Sequence, residues 1–396
     1  MNKTTLILAL VLYIASAAVS FGAFSTLNKQ EVIVPGDGTT DTGDGTTQLG
    51  QLLDISPGEP KDQACPLNGQ LYTNTERQSW ETRRPLAVMI ENTPDSRPQS
   101  GLANSDIVFE AVAEGGITRF MAMFYCGAQA NDIVMAPIRS ARTYYVDWAS
   151  GFNLPLYVHV GGANDPGPAD ALGQIRDYGW DGRNDLNQFS IGYPTFVRDY
   201  NRLPGRDIAT EHTMVASSEK LWAVGVKRKW TNMSPEMRIG RTVVPAKDWK
   251  TGYTGWSFED GAAVGTVAKI SYDFWSGYSD YAVEWNYDRS SNSYKRSQGG
   301  EIHLDLNNDV GVTAKNVIAL STTEKGPIDD KKHMLYTTTG TGDIVLFKNG
   351  EAIKGTWSKK TREAELQFLD NKGQPLKLNR GLTWISVLSK TNEVAY

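Results

Sequence analysis

Five apolar runs of strand length crowd the stretch between residues 85 and 162: PLAVMIEN, SDIVFEAV, ITRFMAMFYC, NDIVMAPI and LPLYVHVGG. Helical candidates lie beside and after them, from Ser140 to Ser150, from Pro166 to Tyr178 and from Ser217 to Val226. Strand and helix in alternation point to a layered domain, because each element must bury its apolar side against a neighbouring layer. The pattern changes after a connecting segment at 231–256. AAVGTVAKISYDF, YAVEWNYD, NVIALSTT, DIVLFKNGEAIKGTWSK, AELQFLDNKGQPLKLN and LTWISVLS are strand-length pieces, with Lys-Asn-Gly-Glu and Asp-Asn-Lys-Gly as hairpin turns. The expected fold is an α/β or α+β layered N-terminal domain over 63–230 and a β-rich C-terminal domain over 257–396. A chain of 396 residues with 40% hydrophobic content can fill both cores.

Two segments precede the folded part. Residues 1–28 carry no charge between Lys3 and Lys29. About 20 apolar residues cross a bilayer as a helix, so a single N-terminal transmembrane helix is expected. The rival reading is a signal peptide cut near Ala15-Ser16-Ala17. Both export the remainder. Residues 29–62 repeat Gly-Asp-Gly-Thr-Thr with little to build a core, which is the composition of a flexible tether. Cys65 and Cys126 are the chain's two cysteines, and an exported chain with two predicts one disulfide, with a thiol catalyst as the alternative. A zinc site would need histidines at short spacing, and His159, His212, His303 and His333 are scattered. A net charge of −5 argues against nucleic acid as a partner.

The chemistry gathers around MAPIRSARTYYVDWASG, Met135 to Gly151. Asn131 to Ile138 reads as a buried strand, Ser140 as a helix N-cap and Gly151 as the stop. Free N–H groups and the dipole at such a corner favour an anion. Arg139 and Arg142 add bidentate donors suited to phosphate or carboxylate. The expected ligand set is Arg97, Gln99, Ser100, Asp106, Glu110, Glu114, Arg119, Arg139, Ser140, Arg142 and His159. Its carboxylates would position the arginines or hold a divalent cation such as Mg. The plainer reading is an internal network in which Asp106, Glu110, Glu114 and Asp147 neutralise the four arginines. No Gly-x-Ser-x-Gly elbow, P-loop or dinucleotide fingerprint is present.

Several motifs resemble the YerB-like family of exported, membrane-tethered bacterial proteins of unknown function. They are Arg84 to Asn92, Arg97 to Gly101, Ser105 to Glu110, Glu114 to Arg119, Pro137 to Arg142, Tyr157 to Gly162, Phe196 to Asp199 and Glu211-His212. Tyr287-Asp288, Tyr294 to Arg296, His303 to Asp305, Ala314 to Val317, Thr356 to Lys359 and Gly381 to Trp384 continue the match. The chain departs from that family where the hydrophobic run replaces a lipoprotein cysteine, and at Glu211, where proline is expected. A fainter similarity in order, Asp106, Pro137-Ile-Arg139 and Gly161-Gly162, is to the LytR-CpsA-Psr phosphotransferases, whose aspartate after the arginine is missing here.

Three functions follow as expectations. The first is a membrane-tethered, extracytoplasmic envelope protein that binds an anionic cell-wall precursor or polymer. The others are a metal-assisted phosphotransferase acting on polyprenyl-pyrophosphate-linked glycopolymer, and a non-catalytic scaffold for other envelope proteins.

Overall fold

The structure, a computed structural model, describes residues 51–239 and 241–396. The expected membrane helix and most of the tether lie outside those residues. Among the described residues no helix is long and apolar enough to cross a membrane.

The apolar runs become strands. LAVMIE forms β1 (Leu86–Glu91), with every residue buried, and IVFEAVAE and ITRFMAMF form β2 (Ile107–Glu114) and β3 (Ile117–Phe124). β4 (Leu156–His159) and β5 (Asp185–Asn187) complete the first half. The second half supplies β6 (Asn316–Thr322), β7 (Gly340–Lys348), β8 (Glu351–Lys359), β9 (Gln367–Leu369) and β10 (Thr383–Ser389). These strands make one sheet in the order β9-β8-β7-β6-β10-β2-β3-β1-β4-β5. The α/β first half and the β-rich second half therefore share a sheet, and its seam is the parallel pairing of β10 with β2, Trp384 beside Val108. The turn between β7 and β8 is the Lys348-Asn-Gly-Glu351 signal. Asn349 and Gly350 take φ of 58° and 73° there, as a tight two-residue hairpin requires.

Strands β1, β2, β4, β5, β6 and β10 run in one direction, with β3 reversed between β2 and β1. Their C-terminal ends line up along one edge, the place where open α/β sheets commonly bind ligands. Helices α1 (Asn74–Trp80), α2 (Thr143–Ser150), α3 (Ala171–Asp177) and α4 (Ser218–Lys227) belong to the first half. A smaller sheet, built on Lys269–Tyr272, Val283–Asp288 and Ser293–Gln298, packs on the seam. Trp285 meets Trp384 edge-on at 5.4 Å, and the Tyr272 hydroxyl lies 2.5 Å from that of Ser386.

Cys65 and Cys126 form the expected disulfide, 61 residues apart in sequence, and fasten the leading segment to the end of β3. Two local expectations fail. Of Asn131–Ile138 only Val134–Met135 forms a strand; Asn131, Ala136 and Ile138 make single bridges to three different segments, and Pro137 has no N–H to carry the ladder on. Helix α2 starts at Thr143, not Ser140. The chain is still extended at Ala141, which pairs with Gly162 and donates its N–H to the Gly161 carbonyl. Arg142 occupies the N-cap without a side-chain cap, while Gly151 closes the helix as expected.

Candidate functional site at the strand ends

Alternation along β3 sorts the predicted residues. Arg119 and Phe120 are adjacent, so they face opposite sides of the sheet. Glu110 stands opposite Phe120 on β2, and Glu91 stands opposite Arg119 on β1. Glu114 has the same parity as Glu110, so an unbroken strand would put both on one side. The register slips between Val112 and Glu114, and this bulge turns Glu114 to the side of Arg119.

On that side Arg119 donates to both Glu114 oxygens at 3.0 Å and to the Ser140 carbonyl at 2.8 Å. Arg142 donates to the same Glu114 carboxylate and to the Ala141 carbonyl at 2.7 Å. Arg139 is held more loosely. Its Nε lies 3.4 Å from Glu91, its Nη1 reaches the Glu211 carbonyl at 3.4 Å, and 29% of its side chain is exposed. The other Glu91 oxygen is 2.9 Å from Nδ1 of His212. Three guanidinium groups thus share two carboxylates.

The electrostatics follow from this crowding. Burial pushes the Glu114 carboxyl up, but Arg119, Arg142 and the more distant Arg139 together hold it down at about 2. Of its partners, Arg119 ends above its ordinary value, since the nearby carboxylates outweigh its burial. Arg142 ends below, because burial and the Arg119 charge outweigh Glu114. The hydrogen bond to Glu91 raises His212. The Nε atoms of Arg119 and Arg142 are buried with no hydrogen-bond partner.

His159 does not reach a ligand position. It is fully buried, with Nδ1 at 2.6 Å from the Gly161 carbonyl and Nε2 at 2.5 Å from Asp185. That same Gly161 carbonyl accepts the Ala141 N–H, so His159 braces the loop that carries Arg139 and Arg142.

Other members of the predicted set lie elsewhere. Gln99 and Glu110 sit on the Phe120 side beneath the smaller sheet, with Glu110 bound to Arg296 and Gln99 to His303. Arg97 bonds the Asn92 side chain and carbonyl and the Asp280 carbonyl, stacks on Tyr281, and lines a separate hollow of about 360 Å³. Ser100 is buried in the loop, its backbone paired with Ala136. Asp106 is at the wrong end of β2, about 26 Å of strand from Glu114. It accepts from Asn68 and from the backbone of Tyr125, Cys126 and Gly127, which fixes the disulfide corner. Burial pushes its carboxyl up to about 7 against those hydrogen bonds. The arrangement therefore unites Glu114, Arg119, Arg139, Ser140 (through its carbonyl) and Arg142, and adds Glu91 and His212. Glu91, a carboxylate ending an apolar strand, and His212 both lay inside the motifs of the family resemblance, which marked neither as a site. Among the described residues no group of three or more His, Cys, Asp or Glu side chains is placed to hold a metal ion.

Comparison with known proteins agrees along most of the chain. Residues 72–231 match the N-terminal domain, and residues 270–385 the C-terminal domain, of a family described as "Protein of unknown function (DUF3048)". "Putative lipoprotein YerB" of Bacillus subtilis (strain 168) is 29% identical over 340 residues, 85% of this chain and 90% of that protein. A crystal structure of YerB from Bacillus subtilis superposes with a TM-score of 0.64 over 84% of this chain and all of its own, at 24% identity, a likeness of fold. With both domains matched in order, the chain belongs to the DUF3048 family of YerB-like proteins.

Proposed function

We propose that this is an exported, membrane-tethered envelope protein that binds an anionic ligand, a cell-wall precursor or polymer, at the Arg139 end of the arginine cluster. One observation carries the reading: three guanidinium groups share two carboxylates at the C-terminal edge of parallel strands, and Arg139 is both loosely paired and partly exposed. A phosphate or carboxylate there would gain charge-assisted hydrogen bonds and relieve the positive surplus.

Export is supported by the disulfide, which persists in oxidising compartments. Tethering is supported by the charge-free run before Lys29 and by the name of YerB as a lipoprotein. No cysteine precedes Cys65, so here the hydrophobic run takes the part that a lipid would play, as a single-pass anchor.

The phosphotransferase reading is disfavoured by how the carboxylates are used. Glu110 is engaged by Arg296, Glu114 by two arginines, and Asp106 by the disulfide corner. The scaffold reading keeps one observation in its favour, the paired Arg119–Glu114–Arg142 group. The test is retention of the full-length protein, in detergent, on isolated bacterial cell walls. Release by inorganic pyrophosphate and loss of retention in Arg139→Met are expected. Equal retention on walls stripped of anionic polymer would contradict the proposal.

A further inference from the structure

A second cavity, of about 430 Å³, opens at the other end of α2, about 12 Å along the helix from Arg142. It lies where the end of α2, the turn after α3, the 244–251 segment and the 362–363 turn meet. Leu154, Trp180, Val244 and Pro245 supply apolar walls, and the charged lining is Arg183, Lys247 and Arg362 against Asp248 and Glu363. That mixture, at this size, is the usual make-up of a small-molecule site.

The charge in its wall is unbalanced. The Nε of Arg183 is buried without a hydrogen-bond partner. Burial alone lowers this guanidinium, with no carboxylate acting on it. Arg84, fully buried, spends its donors on the carbonyls of Thr231, Leu154 and Arg183 at 2.7, 3.1 and 3.1 Å. Burial and the Arg183 charge hold Arg84 down at about 9. Arg84 is thus buried with only neutral partners beside the half-buried Arg183, and burying unpaired charge is costly. Arg362 lies over the Tyr178 ring at 3.6 Å, donates to Ser150 Oγ at 3.3 Å and is ion-paired with Glu363, whereas no carboxylate acts on Arg183.

The backbone is strained at the same wall. Asn153 and Leu154 have φ of 51° and 62°, a left-handed pair that is unusual for a bulky leucine. Asn153 is held there by a 2.6 Å bond to the Trp249 carbonyl, and Leu154 by Arg84. Such strain gathers at ligand sites.

We propose that this cavity binds a small organic anion with a flat apolar body, its ring against Leu154, Trp180 and Pro245 and its carboxylate or sulfonate at Arg183 and Arg362. The site is independent of the arginine cluster.

The test is calorimetric titration of the full-length protein with indole-3-acetate and naphthalene-2-sulfonate, against tryptamine as the cationic ring. Saturable one-to-one binding of at least one anion is expected, with tryptamine about tenfold weaker or worse. Arg183→Met should weaken the anion about tenfold, while Arg139→Met leaves it within about twofold. Should Arg183→Met fail to fold, Arg362→Met carries the test, with a loss of about fivefold expected. Failure of both anions to saturate, equal binding of tryptamine, or indifference to the folded cavity variant would overturn the proposal.

Discussion

Arg296 and Glu110 meet in the seam between the two halves of the sheet, where Arg296 Nη2 donates to both Glu110 oxygens at 2.9 and 2.8 Å and both side chains are wholly buried. Phe120, Trp285 and Trp384 surround the guanidinium at 5.7, 5.7 and 4.6 Å from their ring centres. Trp384 and Thr118 donate to the carboxylate, and Nδ1 of His303 lies 2.7 Å from Arg296. Burial and the Arg296 charge keep His303 well below its ordinary value, so the ring is neutral and accepts through Nδ1.

Removing either partner strands a buried charge. Arg296→Met and Glu110→Gln should each cost about 3–5 kcal/mol, and the double variant should cost less than the sum of the two. Urea unfolding checks this. Additive losses would mean that the pair is not coupled. Because the pair joins the halves, wild-type unfolding should be a single transition by tryptophan fluorescence and by far-ultraviolet circular dichroism.

The disulfide closes a long loop onto the end of β3. Cys65→Ser with Cys126→Ser should lower stability by about 2–4 kcal/mol, read as a shift in the urea midpoint. Both thiols should be unreactive to maleimide in the folded, non-reduced protein.

Acid should act through Glu114. Its folded value of about 2 lies below the ordinary 4.5, so its contribution is present above pH 4.5 and is lost as pH falls towards 2. Glu114→Gln should flatten that part of the acid limb. His212 has the opposite sign. Its raised value gives stability that is full below pH 6.5 and is lost as pH rises through the folded value. His212→Gln should remove that neutral-side decline, measured as urea midpoints from pH 5 to 8.

Much of this arrangement was legible in the sequence because its signals were local. β1 to β4 are apolar runs, α2 ends at Gly151, and Lys348-Asn-Gly-Glu351 spells its hairpin. Four features could not be settled by local signals. The pairing of β10 with β2 joins residues more than 270 positions apart through a parallel contact that needs no turn. The bulge at Val112–Glu114 changes which side Glu114 faces, against its period-two position. Ser140 looked like a cap, but tertiary pairing of Ala141 with Gly162 kept the chain extended for two more residues. Asp106 was grouped with the arginines by sequence proximity, whereas a strand puts its two ends far apart.

The N-terminal run sets another expectation. As an uncleaved anchor it leaves the mature protein with its own first residues and resistant to carbonate extraction from membranes. Amino-terminal sequencing that starts at Ala18 or just beyond would instead identify a signal peptide.

The most direct test of the account is a titration of the full-length protein with inorganic pyrophosphate, comparing wild type with Arg139→Ala at equal ionic strength. The proposal expects saturable binding that Arg139→Ala weakens by about 1.5–3 kcal/mol, with a urea midpoint unchanged or slightly raised as repulsion among the arginines is relieved. A variant that loses stability while binding pyrophosphate like the wild type would show that Arg139 belongs to a structural salt-bridge network, and the anion site would be wrong.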